Sequence, residues 1–102
     1  MVTLRVKRLT NTFEKARGLL GSSKAHPVYC TTRFGIHTFF MRFPIDVVIL
    51  DDRFTVVKFV EGLQPNRIFV WHPRYRHVIE LPKGEIQKNH IKLGATITLQ
   101  YL

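Results

Sequence analysis

Val2, Leu4 and Val6 are interleaved with Thr3, Arg5 and Lys7 at the start of the chain. A period of two marks a strand with one face in a core and the other in water. The pattern then changes. Asn11, followed three residues later by Glu14, has the form of a capping box, in which both side chains satisfy orphan backbone N–H groups. Phe13, Ala16 or Arg17, and Leu20 continue at helical spacing, and Gly21 supplies a stop. One short N-terminal helix is predicted here.

Beyond a polar loop from Ser22 to Pro27, β-branched and aromatic residues dominate. Strands are predicted over Val28 to Thr32 and over Gly35 to Met41, with Pro44 interrupting because proline cannot donate to a ladder. Asp46 to Leu50 is nearly continuous in apolar residues, as in a strand covered on both faces. Asp51-Asp52-Arg53 is turn chemistry and joins it to Phe54 to Glu61 in a predicted hairpin. A turn over Gly62 to Asn66 leads to strands at Arg67 to Trp71 and His77 to Leu81. Pro82-Lys83-Gly84 then breaks the chain, Glu85 to His90 fits one helical turn, and Ala95 to Leu102 closes with Ile97, Leu99 and Tyr101 on one face. The expected fold is mainly β, a small barrel-like or sandwich domain of seven to eight short strands with one short N-terminal helix.

A length of 102 residues suits a single domain spanning 1–102, large enough to bury a self-supporting core. Sixteen Lys and Arg against seven Asp and Glu give a net charge of +9, which draws the protein toward polyanions. The basic residues are spread along the chain rather than gathered in a tail, so a solvated basic surface explains them equally. Cys30 is the single cysteine, which excludes an internal disulfide. The start MVTLRVKRLT lacks the apolar stretch of a secretory leader, and no window of eighteen apolar residues occurs. A cytoplasmic location without a membrane span is the expectation.

The segment from His37 to Asp46 places a His, an Arg and an Asp around a proline in otherwise apolar sequence. Alternation puts His37, Phe39 and Met41 on one face and Thr38, Phe40 and Arg42 on the other. Asp46 and Glu80 are both carboxylates in apolar strands, so each needs a partner if buried. Together with His37 and Arg42 they form a candidate binding site; the other reading is a set of structural anchors that hold the bend and the strand break. The stretch from Arg67 to His77 interleaves Arg67, Arg74 and Arg76 with Phe69, Trp71 and Tyr75. Such interleaving suits an anionic ligand or single-stranded nucleic acid through stacking and charge, although aromatics packed on a core with arginines reaching outward look the same. The histidines do not fall at metal-ligand spacing, no phosphate-cradling glycine loop or serine elbow is present, and Cys30 has no adjacent base. No cofactor or metal is expected.

Three ordered segments, EKARGLLG, IHTFFMRFPIDVVILD and VIELPKG, resemble the family called domain of unknown function 192, or uncharacterised protein family 0127. The resemblance runs from about Glu14 to Thr98. Its polar motif positions fall here on Glu14, Arg17, His37, Met41, Arg42, Pro44, Asp46, Glu80 and Gly84. Near the end, Gly94-Ala95 stands where the family usually has Gly-Asp. The resemblance implies a compact β-rich fold and a linked role for His37 and Asp46, and it implies no activity; many relatives are exported. The residues favour a small binding or accessory module over an enzyme. The rivals are a small hydrolase using Asp46 or Glu80 with His37, and a nucleic-acid-binding protein working through residues 67–77.

Overall fold

A computed structural model describes residues 2–9, 26–32, 35–39 and 41–101. The strands are β1 (Val2–Arg8), β2 (Val28–Thr31), β3 (Gly35–His37), β4 (Ile45–Leu50), β5 (Val56–Leu63), β6 (Ile68–Val70), β7 (His77–Pro82) and β8 (Ile97–Tyr101), with a short helix α1 (Glu85–Lys88) between the last two. Six of them form one sheet in the order β5-β4-β7-β2-β1-β8, while β3 and β6 pair as a separate ribbon. The sheet curls into a half-barrel, so the mainly-β, barrel-like fold expected from the sequence is the one found. The helix predicted between Asn11 and Gly21 lies outside the described residues.

The apolar run of β4 becomes an interior strand of the sheet, hydrogen-bonded to β5 on one side and to β7 on the other. All six of its residues are buried. Alternation sends them to two different cores. Val48 and Leu50 join Leu4, Val6, Tyr29, Ile79, Leu81 and Ile86 on one face. Ile45, Val47 and Ile49 join Val28, Cys30, Met41, Trp71 and Val78 on the other. Each fully buried aliphatic side chain contributes roughly 1.5–3 kcal/mol of transfer free energy. This strand therefore anchors both layers.

The β4–β5 hairpin turns where the acidic pair predicted it. The Asp51 Oδ1 accepts from the Arg53 and Thr55 backbone N–H groups, both at 2.9 Å. The edge pairing was not legible in the sequence: β1 runs parallel to both β2 and β8. Parallel neighbours need crossover connections, and local pattern does not say which strands those connections bring together.

The strand predicted over Gly35 to Met41 ends at His37 instead. Thr38 stops it. Its hydroxyl donates to the Gln64 carbonyl at 2.7 Å and accepts from the Arg67 N–H at 2.8 Å, and the Met41 N–H returns to the Thr38 carbonyl at 3.2 Å. The turn breaks the alternation expected across this segment. His37 faces solvent and Met41 is buried, so the two do not share a face.

Candidate functional site

Asp46 is fully buried, and backbone amides surround its carboxylate. Oδ1 accepts from the Gly62 N–H at 2.9 Å, and Oδ2 accepts from those of Gly84 and Ile86, each at 3.0 Å. Gly62 and Gly84 sit at φ values of 65° and 94°, a left-handed backbone that glycine adopts without a Cβ penalty. The carboxylate thus ties β4 to the end of β5 and to the first turn of α1. Asp46 also lies at the floor of an open cleft of about 280 Å³, lined further by Glu61, Gly62, Lys83, Gly84 and Gln87.

Glu80 lies in a different place. In the β4–β7 ladder Asp46 stands opposite Leu81, and Glu80 stands opposite Val47. Directly opposed residues share a face, so the two carboxyls project from opposite sides of the sheet. Glu80 is 8 % exposed, set between Val28 on β2 and Val47 on β4. Burial pushes its carboxyl up to about 7. No hydrogen bond or ion pair joins that carboxyl to another described residue.

His37 and Arg42 are exposed. The Nδ1 of His37 accepts from the Phe39 N–H at 3.3 Å, and the two rings stack with centroids 5.0 Å apart. On the ribbon, Ile36 opposes Phe69, and both pack against the core face that also carries Val47 and Val28. By alternation His37, Ile68 and Val70 point outward. The four candidate residues therefore do not gather: Asp46 lies beneath α1, Glu80 within the opposite face, His37 on the ribbon, and Arg42 in the exposed bend after it.

The basic–aromatic stretch is divided as well. Trp71 is buried, and its indole N–H donates to the Tyr75 carbonyl at 2.6 Å, which leaves no ring face for stacking on a base. Tyr75 is half-buried with the Arg74 guanidinium 5.6 Å above its ring. Arg76 faces Asp52 at 3.6 Å, and Arg74 shares a pocket with Asp51 and Asp52. Arg67 stays exposed beside the ribbon. Among the described residues no group of three or more His, Cys, Asp or Glu gathers to hold a metal ion.

Two arrangements escape a sequence reading. His77 bridges Tyr29 and Asp52: its Nδ1 is 2.7 Å from the Tyr29 hydroxyl, and its Nε2 is 3.0 Å from the Asp52 carboxylate. Burial first, then the Tyr101 hydroxyl, raise the Tyr29 pKa above its ordinary value, with Arg8 and Arg76 opposing. Separations of 48 and 25 residues leave no local signal for this chain of contacts. The second is the ribbon's outer surface, where Ile68 is 65 % exposed, Val70 57 % and Phe39 39 %. The available signal was the run Ile68-Phe69-Val70-Trp71, which is apolar on both faces of a strand too short to lie between two layers.

A family model matches residues 2–99. The chain belongs to the DUF192 family, described as an uncharacterised ACR. Within that family it resembles a UPF0127 protein of Pyrococcus horikoshii, 43% identical over 58 residues; the match covers 57% of this chain and 50% of the archaeal protein. The shared segment thus spans about half the length of that curated relative. Two solved structures share the fold. A protein of unknown function from Novosphingobium aromaticivorans superimposes with a TM-score of 0.72 at 15% identity, covering 90% of this DUF192 chain and 70% of its own. A Sinorhizobium meliloti protein, assigned provisionally to transcription regulation, gives 0.74 at 16% identity, with 87% and 76% covered. Identities this low establish shared architecture alone. No helix among the described residues is long and apolar enough to cross a membrane.

Proposed function

We propose that this DUF192 chain is a small binding module that meets its partner through the outer face of the β3–β6 ribbon. The supporting observation is the exposure of three large apolar side chains: Ile68 and Val70 on the outward face of the ribbon, and Phe39 in the turn after β3. Apolar residues scattered singly over a surface need no explanation, as with Leu93, but a set on and beside one ribbon is typical of an interaction face. His37 belongs to this face, and Arg42 lies exposed in the bend that follows β3. Asp46 serves the fold, with both oxygens already held by backbone amides. A hydrolase would need a carboxylate and His37 in one cleft. The two buried carboxylates and His37 stand apart.

Thermal unfolding of Ile68→Thr/Val70→Thr tests the reading without knowledge of the partner. Threonine keeps the β-branch and the strand propensity while removing apolar surface. Residues held for binding are often neutral or costly to stability, so the melting temperature should stay within about 2 °C or rise. A drop of about 5 °C or more, equivalent to roughly 1 kcal/mol in a domain this size, would return these side chains to the packing of the fold.

A further inference from the structure

We infer that the outer face of the β3–β6 ribbon docks on an anionic lipid surface, with Phe39, Ile68 and Val70 entering the interface and Arg42 and Arg67 meeting the headgroups. This rests on the binding reading above and adds the partner's chemistry. The first ground is charge. Between Thr31 and Ile45, and again between Gly62 and Ile79, the chain contains no Asp or Glu. Those segments carry both ribbon strands, their connections, and Arg33, Arg42, Arg67, Arg74 and Arg76. Arg74 and Arg76 face Asp51 and Asp52, whereas Arg42, in the bend after β3, and Arg67, just before β6, are exposed with no carboxylate in their segments to neutralise them. An apolar face flanked by cations complements negatively charged headgroups over an acyl layer.

The second ground is shape. A groove that captures a peptide encloses its lining, but Ile68 and Val70 are each more than half exposed on an outward face with no groove around them among the described residues. Exposed aliphatic side chains gain most from a soft, deformable medium that closes around them. Strands of three residues also offer little length for pairing with an extended peptide. Nucleic acid would use the arginines and leave the aliphatic face in water. Gly35 keeps the ribbon narrow. A Cβ there would meet the Phe69 carbonyl oxygen at 2.7 Å, so the two strands can approach this closely only with glycine at that position.

The test is co-sedimentation of the full chain with vesicles of phosphatidylcholine alone and with a third phosphatidylglycerol. The unmodified protein should partition onto the anionic vesicles and not onto the neutral ones. Ile68→Thr/Val70→Thr should bind about tenfold to a hundredfold more weakly, because two inserting side chains lose apolar contact. Arg67→Gln should lose about fivefold, as expected for one basic residue at a charged membrane. Leu93→Thr, which alters an exposed leucine away from the ribbon, should bind as the unmodified protein does. Equal binding by the threonine variant, equal binding to neutral vesicles, or no binding at all would overturn the lipid assignment. So would a dimer in solution that the threonine variant dissolves, or tighter binding to a single-stranded oligonucleotide than to the anionic vesicles. A fall in melting temperature of that variant defeats the binding reading itself. Retained stability without vesicle binding defeats only the lipid partner.

Discussion

Asp46 and Glu80 lie one register step apart on neighbouring strands and project from opposite faces of the same sheet. Asp46 is met by three backbone amides, and Glu80 lies between two valines. Two buried carboxyls with opposite surroundings should answer substitution in opposite ways.

Asp46→Asn replaces an acceptor-only group with one that presents N–H to N–H on one side. Hydrogen bonds to a charged acceptor are stronger than neutral ones, and at least one buried amide is left unpaired. The variant should lose about 2–4 kcal/mol in urea unfolding, with α1 and the end of β5 losing hydrogen-exchange protection first. Unchanged stability would show that these amides find other partners.

Glu80 makes stability depend on pH. Its folded-state value of about 7 lies above the ordinary value of 4.5, so the folded state holds its proton where the unfolded chain has released it. The contribution is fully present below about pH 4.5 and is lost as pH rises through about 7. The amplitude is about 3 kcal/mol for a shift of this size. Glu80→Gln keeps the hydrogen-bonding shape without the charge. It should match the unmodified protein near pH 4 and exceed it near pH 8, as read from urea midpoints at each pH. A parallel pair of curves would mean that Glu80 has a partner that holds its charge.

The Tyr29–His77–Asp52 chain joins β2, β7 and the β4–β5 turn. In the neutral ring, Nε2–H donates to the carboxylate and leaves Nδ1 to accept from the tyrosine. Phe54 packs over the imidazole at 4.7 Å. Tyr29→Phe should cost about 1 kcal/mol and His77→Ala about twice that, since it removes the ring contact too. Asp52 is exposed, so Asp52→Asn should cost less than either. A double-mutant cycle of Tyr29→Phe with His77→Ala should give a coupling of at least 0.5 kcal/mol, roughly the lower bound for contacting residues.

Gly35→Ala should disturb the ribbon and spare the sheet. The added methyl would fall 2.7 Å from a carbonyl oxygen of the backbone, which cannot swing aside as a side chain can. Amide exchange should quicken at Ile36 and Ile68 while Val48 and Ile79 stay protected. Loss of protection throughout would mean that the ribbon is part of the cooperative core.

The strands were legible because their signals are local. The run Ile45 to Leu50 contains the two-faced burial of a central strand, and Asp51-Asp52-Arg53 contains the turn that follows it. Pro82-Lys83-Gly84 marks the break before α1 for the same reason. Thr38 departs from its local pattern because its strand-ending power lies in a hydroxyl that bonds residues more than twenty positions away. Asp46 and Glu80 could be picked out as buried carboxyls needing an account, since a charge in apolar sequence is visible at once. Their separation could not. It depends on which residue of β7 stands opposite which residue of β4, and a slip of one position would reverse the faces.

By itself the sequence determined the β-rich class, most strand positions, the hairpin at Asp51 and the family. The first three depend on neighbours within a few residues, and the family on three ordered motifs that need no contact between them to be read. The tertiary structure alone decided the parallel pairing of β1 with β2 and β8, the opposite fates of the two carboxyls, and the ribbon pairing that turns Ile68 and Val70 toward solvent. Those depend on strand order and register, which are selected by the summed burial of two cores and leave no trace in the residues on either side.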